Sequence, residues 1–171
     1  MLCHGTCVAR RAAPSPGGSG GEARWDGVLL LGPPGSGKSD LALRLLARHD
    51  PAAEWALVAD DQVALSVGPG TATLRAAAPD ALRGMLEARG VGVVEGLATL
   101  PSARLALAVE LAPSREAVPR LPEPRAWTAL GASLPLVALF APEASAPERV
   151  ALALDAATGA ARMRVGAFGP R

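Results

Sequence analysis

Residues 27–46 read GVLLLGPPGSGKSDLALRLL. Val28-Leu29-Leu30-Leu31 is an apolar run of strand length, and Leu41, Leu43, Leu45 and Leu46 follow in a helix-like run. Between them Gly32-Pro33-Pro34-Gly35-Ser36-Gly37-Lys38-Ser39 matches G-x-x-x-x-G-K-S, the phosphate-binding P-loop, in its expected strand–loop–helix context. The residue types follow from the chemistry. Glycines let successive N–H groups turn towards an anion where a Cβ would obstruct it. The helix starting near Lys38 aims the positive end of its dipole at the same phosphates. Lys38 can reach the β- and γ-phosphates as a point charge, and the Ser39 hydroxyl can ligate Mg²⁺. Lys38 is also the only lysine in a chain with sixteen arginines.

The bulk of the sequence narrows what surrounds this loop. A chain of 171 residues predicts one domain with a proper core. Half the residues are apolar and only 3% aromatic, so the core is expected to be Leu, Val and Ala. A net charge of +1 without a basic block predicts no nucleic-acid surface. No apolar run approaches the roughly 18 residues that span a bilayer, and no signal-length apolar stretch starts the chain, which predicts a cytoplasmic protein. Cys3 and Cys7 flank His4, a weak zinc pattern without a second ligand pair, and free thiols are expected.

In chain order, residues 2–9 predict a short strand. Residues 11–24, rich in Pro, Gly and Ser, predict a flexible loop. The P-loop strand starts near Trp25, and its helix runs from about Lys38 to Arg48, before Asp50-Pro51. Strands are expected at 55–59, 62–67, 71–77, 104–111 and 134–140, with a helical turn at 79–86. Glycine-rich 88–97 predicts irregular backbone, and 112–127, with four prolines, a loop. Ser145-Ala146-Pro147-Glu148 resembles a capping box and predicts a helix from Ala146, against the strand-like alternation of Val150, Leu152 and Leu154. Residues 166–171 predict a loose tail.

Beyond the P-loop, the chemistry-bearing candidates are Asp60-Asp61 and Glu87-Ala88-Arg89-Gly90-Val91-Gly92. Adjacent carboxylates in an extended segment point to opposite sides. One of the pair can then face metal and phosphates while the other takes a proton from an acceptor hydroxyl. The glycines around Arg89 permit close backbone approach to a ligand.

Together His4-Gly5, GPPGSGKSDLAL, LVADDQV and MLEARGVGVV resemble the C-terminal catalytic domain of bacterial HPr kinase/phosphorylase, over roughly His4 to Leu121. That family phosphorylates a serine of HPr, a small phosphocarrier of the sugar phosphotransferase system, and fuller members reverse the reaction with inorganic phosphate. The resemblance implies an α/β P-loop kinase fold shared with phosphoenolpyruvate carboxykinase, a mixed sheet flanked by helices, with ATP and Mg²⁺ as cofactors. It implies that Lys38 stabilises the transferring group, Ser39 and Glu87 hold Mg²⁺, and Asp61 is the base towards the seryl hydroxyl. His4 would sit beside this centre, Arg89 in a loop needed for both directions, and Arg120 would correspond to a later catalytic arginine. An HPr-like phosphocarrier is the implied partner, and homo-oligomerisation is left open.

The match departs from the family in the 11–24 insertion, in lacking Gly-Arg-Asn after Leu134-Pro135-Leu136, and in a shorter C-terminal region without the separate N-terminal domain. It is similar in this to the short alphaproteobacterial form, which implies kinase rather than phosphorylase activity. Two other readings stay open: a small-molecule P-loop kinase or NTPase, with Arg115, Arg120 and Arg125 on a lid, and a non-catalytic ATP sensor.

Overall fold

The apolar run before the P-loop becomes the middle of a sheet because it is buried on both faces. In the computed structural model, which describes residues 1–12, 24–48, 53–68 and 70–169, Val28, Leu29 and Leu30 of strand β3 (Trp25–Leu31) are fully buried. Parallel to β3 runs β9 (Ser102–Leu111), and antiparallel to it β2 (Thr6–Arg11). Beyond β2 lies β4 (Trp55–Ala59), antiparallel to β2 and therefore pointing the same way as β3. The ends of β3 and β4 thus meet at one edge, with the start of β2 between them.

On its other side β9 serves two neighbours. Its first residues pair with β6 (Leu74–Ala77) and its last, Ala108 to Leu111, with parallel β11 (Ala132–Leu139). From β6 the sheet continues through β5 (Gln62–Val67) to β1 (Leu2–His4), and from β11 to β10 (Arg125–Ala129). The sheet forks at β9.

Alternation along the strands divides the core in two. Val8, Val28, Leu30, Leu107 and Val109 face a cluster completed by helix α1 (Lys38–Leu46) and helix α2 (Ala146–Thr158). Cys7, Ala9, Leu29 and Ala108 face a second cluster, built almost wholly from strand residues, those of β4, β5, β6, β9, β10 and β11. The expected mixed sheet is present, with both helices packed into the first cluster. No helix among the described residues is long and apolar enough to cross a membrane.

Several local expectations change. The strand expected at 2–9 is two strands, because Gly5 bends the chain from the edge pairing with β5 to the centre of the sheet. A Cβ on Gly5 would lie 2.8 Å from the Leu30 carbonyl oxygen, so only glycine passes there. The stretch expected to be irregular holds a hairpin, β7 (Leu86–Ala88) with β8 (Gly92–Val94). Strand β10 takes residues 125–127 from the expected loop, and the helical turn contracts to a 3₁₀ turn at Asp80–Leu82. The C-terminal helix forms as expected: Val150 and Leu154 are buried at i, i+4 spacing while Leu152 is 53% exposed, and Gly159 ends it at φ 84°. The expected loose tail is partly anchored, since Ala167 and Phe168 pack on the first cluster. Residues 13–23 of the expected flexible loop lie outside the described residues.

Leu86 is 1% exposed and packs into the cluster that holds Leu41 and Leu45, which ties the β7–β8 hairpin to α1. Leu86→Ala is expected to lower unfolding stability by about 2–5 kcal/mol, read from the shift of the urea midpoint at constant m-value.

Candidate active site

Two aspartates close β4 at the edge where the P-loop opens, and they have different fates. Asp60 is buried, 6% exposed. Its Oδ1 accepts from Thr6 Oγ1 at 2.6 Å and from Ser39 Oγ at 2.9 Å, and its Oδ2 accepts from the Glu87 N–H at 3.0 Å. One carboxylate therefore fastens β2, α1 and β7 to the end of β4. Charge-assisted bonds of this kind are the strong ones.

Asp61 turns the other way. The expectation of an extended pair is corrected here: Asp61 has φ 63°, the left-handed region that a residue with a Cβ seldom enters. The turn is held by Gln62 N–H on the Asp60 carbonyl at 2.7 Å and Gly5 N–H on the Asp61 carbonyl at 3.1 Å. It leaves the Asp61 carboxylate exposed at the mouth of the site.

Lys38 is nearly buried, at 7% exposure. Its ammonium donates to the carbonyls of Gly32 at 3.0 Å and Pro33 at 3.1 Å, and lies 3.1 Å from His4 Nε2. An ammonium only donates, so Nε2 is the acceptor and the His4 proton belongs on Nδ1. That proton is directed at the Asp61 carbonyl, 3.1 Å away, with Asp61 Oδ1 at 3.4 Å. Burial lowers the Lys38 pKa, and the negative charges of Asp60 and Asp61 partly offset that. All three Lys38 donors are engaged within the protein, so contact with a phosphate requires exchanging at least one of them.

These groups surround a cavity of about 550 Å³, lined also by Pro34, Gly35, Gly37, Ser39, Glu87, Arg89 and Val91. Gly35 has φ 80°, and no atom lies within 4 Å of the place a Cβ would take. Gly37 heads α1 in the left-handed region at φ 92°. Ser36 folds its hydroxyl beneath Gly32 without a hydrogen-bond partner, where a Cβ on Gly32 would come within 2.6 Å. The loop thus offers an open cradle of backbone at a helix N-terminus, which fits a phosphate chain. The Ser39 hydroxyl beside the Asp60 carboxylate, with Glu87 on the same cavity, is the hard-oxygen set that suits Mg²⁺.

Most of the residues singled out from the sequence come together here: His4, Lys38, Ser39, Asp61, Glu87 and Arg89 line one cavity. Arg120 does not. It lines a different cavity with residues of β11 and α2, so the structure gives no support to placing it among the phosphate-handling groups. Its neighbours on the supposed lid are held elsewhere, Arg115 by Glu143 at 3.1 Å and Arg125 by Glu110 at 2.9 Å. Cys3 and Cys7 are free, burial raises both thiol pKa values, and no cluster of three or more His, Cys, Asp or Glu fit for a metal occurs among the described residues. Sequence reasoning named the Asp60-Asp61 pair and gave a specific role to Asp61 alone, leaving open what Asp60 holds. The available signal was its position directly after the five buried residues of WALVA. Nothing in the sequence marked Thr6.

Strand, glycine loop and helix, with an aspartate at the end of β4 bonded to the P-loop serine, define a P-loop protein. Residues 25–121 match the family model described as HPr Serine kinase C-terminal domain, and the chain belongs to that family. Among curated proteins it is 44% identical over 69 residues to an HPr kinase/phosphorylase of Chromobacterium violaceum, covering 40% of this chain and 20% of that one. To the HPr kinase/phosphorylase of Caldanaerobacter subterraneus it is 39% identical over 87 residues, 50% of this chain and 27% of the other. The chain therefore spans about a fifth to a quarter of the length of these relatives. The solved structure of the Hpr(Ser) kinase/phosphatase from Coxiella burnetii shares the fold, with a TM-score of 0.67 at 23% identity over 88% of this chain and 91% of that one.

Asp60→Ala leaves Thr6, Ser39 and the Glu87 N–H without their acceptor. An unfolding loss of about 3 kcal/mol is expected, measured by denaturant titration. Asp61→Ala, at an exposed position, is expected to stay within about 1 kcal/mol of the wild type in the same assay.

Proposed function

We propose that this chain is an ATP-dependent protein-serine kinase that phosphorylates an HPr-like phosphocarrier. The observation that carries this reading is the meeting of Lys38 and Ser39 from the start of α1, Asp61 from the turn after β4 and Glu87 from β7 in one cavity. A P-loop alone argues for nucleotide binding. A buried aspartate on the serine and an exposed aspartate at the mouth argue for transfer to an acceptor that arrives from outside.

The residues divide the work as follows. Backbone N–H groups of 35–39 and the α1 N-terminus hold the β-phosphate. Lys38 exchanges a loop carbonyl for the γ-phosphate and follows its charge to the transition state. Ser39 and Glu87 would hold Mg²⁺, which would supply positive charge against the negative charge developing on the transferring group, and Asp60 orients the Ser39 hydroxyl. Asp61, presented by its left-handed turn, accepts the proton of the seryl hydroxyl as the oxygen attacks. His4 positions both neighbours, accepting from Lys38 and donating to the Asp61 carbonyl. Arg89, at the hairpin turn, supplies positive charge on the acceptor side. Rate enhancement in this scheme comes from positioning and charge neutralisation.

Incubation with Mg-ATP and an HPr from the same organism is expected to yield phosphoserine by mass spectrometry. An HPr that stays unmodified beside an active control kinase refutes the proposal. Asp61→Asn is expected to lower kcat by about 10²–10⁴ while the KM for ATP stays within about twofold. Turnover retained in that variant removes Asp61 from the role of base.

A further inference from the structure

A second cavity, of about 500 Å³, lies between the 115–122 loop, β11, α2 and the 163–168 segment. That is an ordinary size for a ligand pocket. Its walls are apolar: Val137 and Leu139 from β11, Leu152 from α2, Leu121, Met163 and Phe168. Leu121 is 72% exposed and Leu152 53%, so part of this apolar surface faces water.

The charged groups on the cavity are three guanidinium groups, Arg115, Arg120 and Arg149, against one carboxylate, Glu143. Glu143 is already shared, accepting from Arg115 at one oxygen and Arg149 at the other. Arg120 has no hydrogen-bond or ion-pair partner among the described residues. An apolar chamber with an excess of positive charge and one uncommitted guanidinium fits a ligand with an apolar body and a single anionic head.

The cavity also touches the P-loop mechanically. Glu143 lies on the turn after β11, and Arg44 of α1 donates to the carbonyls of Ala141 and, at 3.1 Å, Glu143. A Cβ built on Gly37, at the head of α1, would lie 3.0 Å from the Ala141 Cβ. A negative head on Arg120 shares its cavity with the Arg115–Glu143–Arg149 cluster and competes with Glu143 for those guanidinium groups, and the 141–143 turn that carries Glu143 approaches the head of α1 closely at Gly37.

We propose that this cavity binds a free amphipathic monoanion, with its head on Arg120 and its apolar body between β11 and α2, and that occupancy changes nucleotide affinity at the P-loop. Titration calorimetry of the nucleotide-free chain with decanoate is expected to show one saturable site. Decyltrimethylammonium, of the same length and opposite charge, is expected to bind at least about tenfold more weakly. Arg120→Gln should weaken decanoate about tenfold, and Leu152→Glu by as much or more. Both positions are exposed, and circular dichroism checks that both variants fold. Equal binding of the two amphiphiles, no saturable binding, or binding unchanged in both variants overturns the site. Saturating decanoate is expected to shift ADP affinity about fivefold in the wild type and not in Leu152→Glu. An unchanged ADP affinity overturns the coupling. Protein that takes decanoate but no ADP overturns the coupling together with the kinase reading, and the decanoate site then stands on its own data.

Discussion

The carboxylate of Asp60 is the fastening on which the site depends. Three elements far apart in sequence end on its two oxygens: Thr6 at the start of β2, Ser39 in the first turn of α1, and the Glu87 N–H in β7. A buried carboxylate is costly unless it is fully bonded, and here both oxygens are satisfied by donors that the chain must bring from three directions. The register of the P-loop helix against β4, and the placement of the hairpin that carries Glu87 and Arg89, follow from meeting that demand. The same carboxylate lies beside the hydroxyl best placed for Mg²⁺, so one group serves the fold and the chemistry together.

Around this fastening the backbone is driven into conformations that ordinary residues avoid. Asp61 sits at φ 63° directly after Asp60, and the strain, of the order of 1 kcal/mol or more, is held by hydrogen bonds from Gly5 and Gln62. The result separates two neighbouring carboxylates, one inward and one outward. His4 completes the arrangement from the edge of the sheet. It reaches the site because Gly5 lets the chain pass against the Leu30 carbonyl and turn from β1 into β2. Lys38, drawn back onto its own loop and His4, rests in a state that an incoming phosphate must compete with.

The forked sheet sets the distance between the two cavities. Because β9 gives its first residues to β6 and its last to β11, the strands leading to β1 and His4 leave on one branch, and β11 with α2 on the other. The phosphate cavity opens where β3 and β4 end. The apolar cavity forms on the second branch, joined to the first through Arg44 and the turn at 141–143. Arg120 belongs to that second region, a separation the linear order of arginines in the 112–125 segment does not reveal.

The sequence by itself determined the strand, loop and helix of 27–46, because a glycine loop ending in Gly-Lys-Ser between two apolar runs has few other ways to satisfy its backbone. It also marked Asp61, Glu87 and Arg89, whose polar character beside buried strands or glycines is a local signal. The C-terminal helix was legible too, from Pro147 in its first turn and against the strand-like alternation of Val150, Leu152 and Leu154, although the Ser145 side chain makes no capping bond. Only the tertiary structure decided the rest. That Asp60 holds Thr6, that Gly5 splits one expected strand into two, and that Asp61 leaves the extended region all depend on contacts between residues some fifty positions apart. The hairpin at 86–94 formed from a stretch without strand periodicity because Leu86 found a place beside α1 and the Glu87 N–H found Asp60. Long-range hydrogen bonds and close backbone approach leave no period in a sequence, which is why they appeared only once the chain was folded.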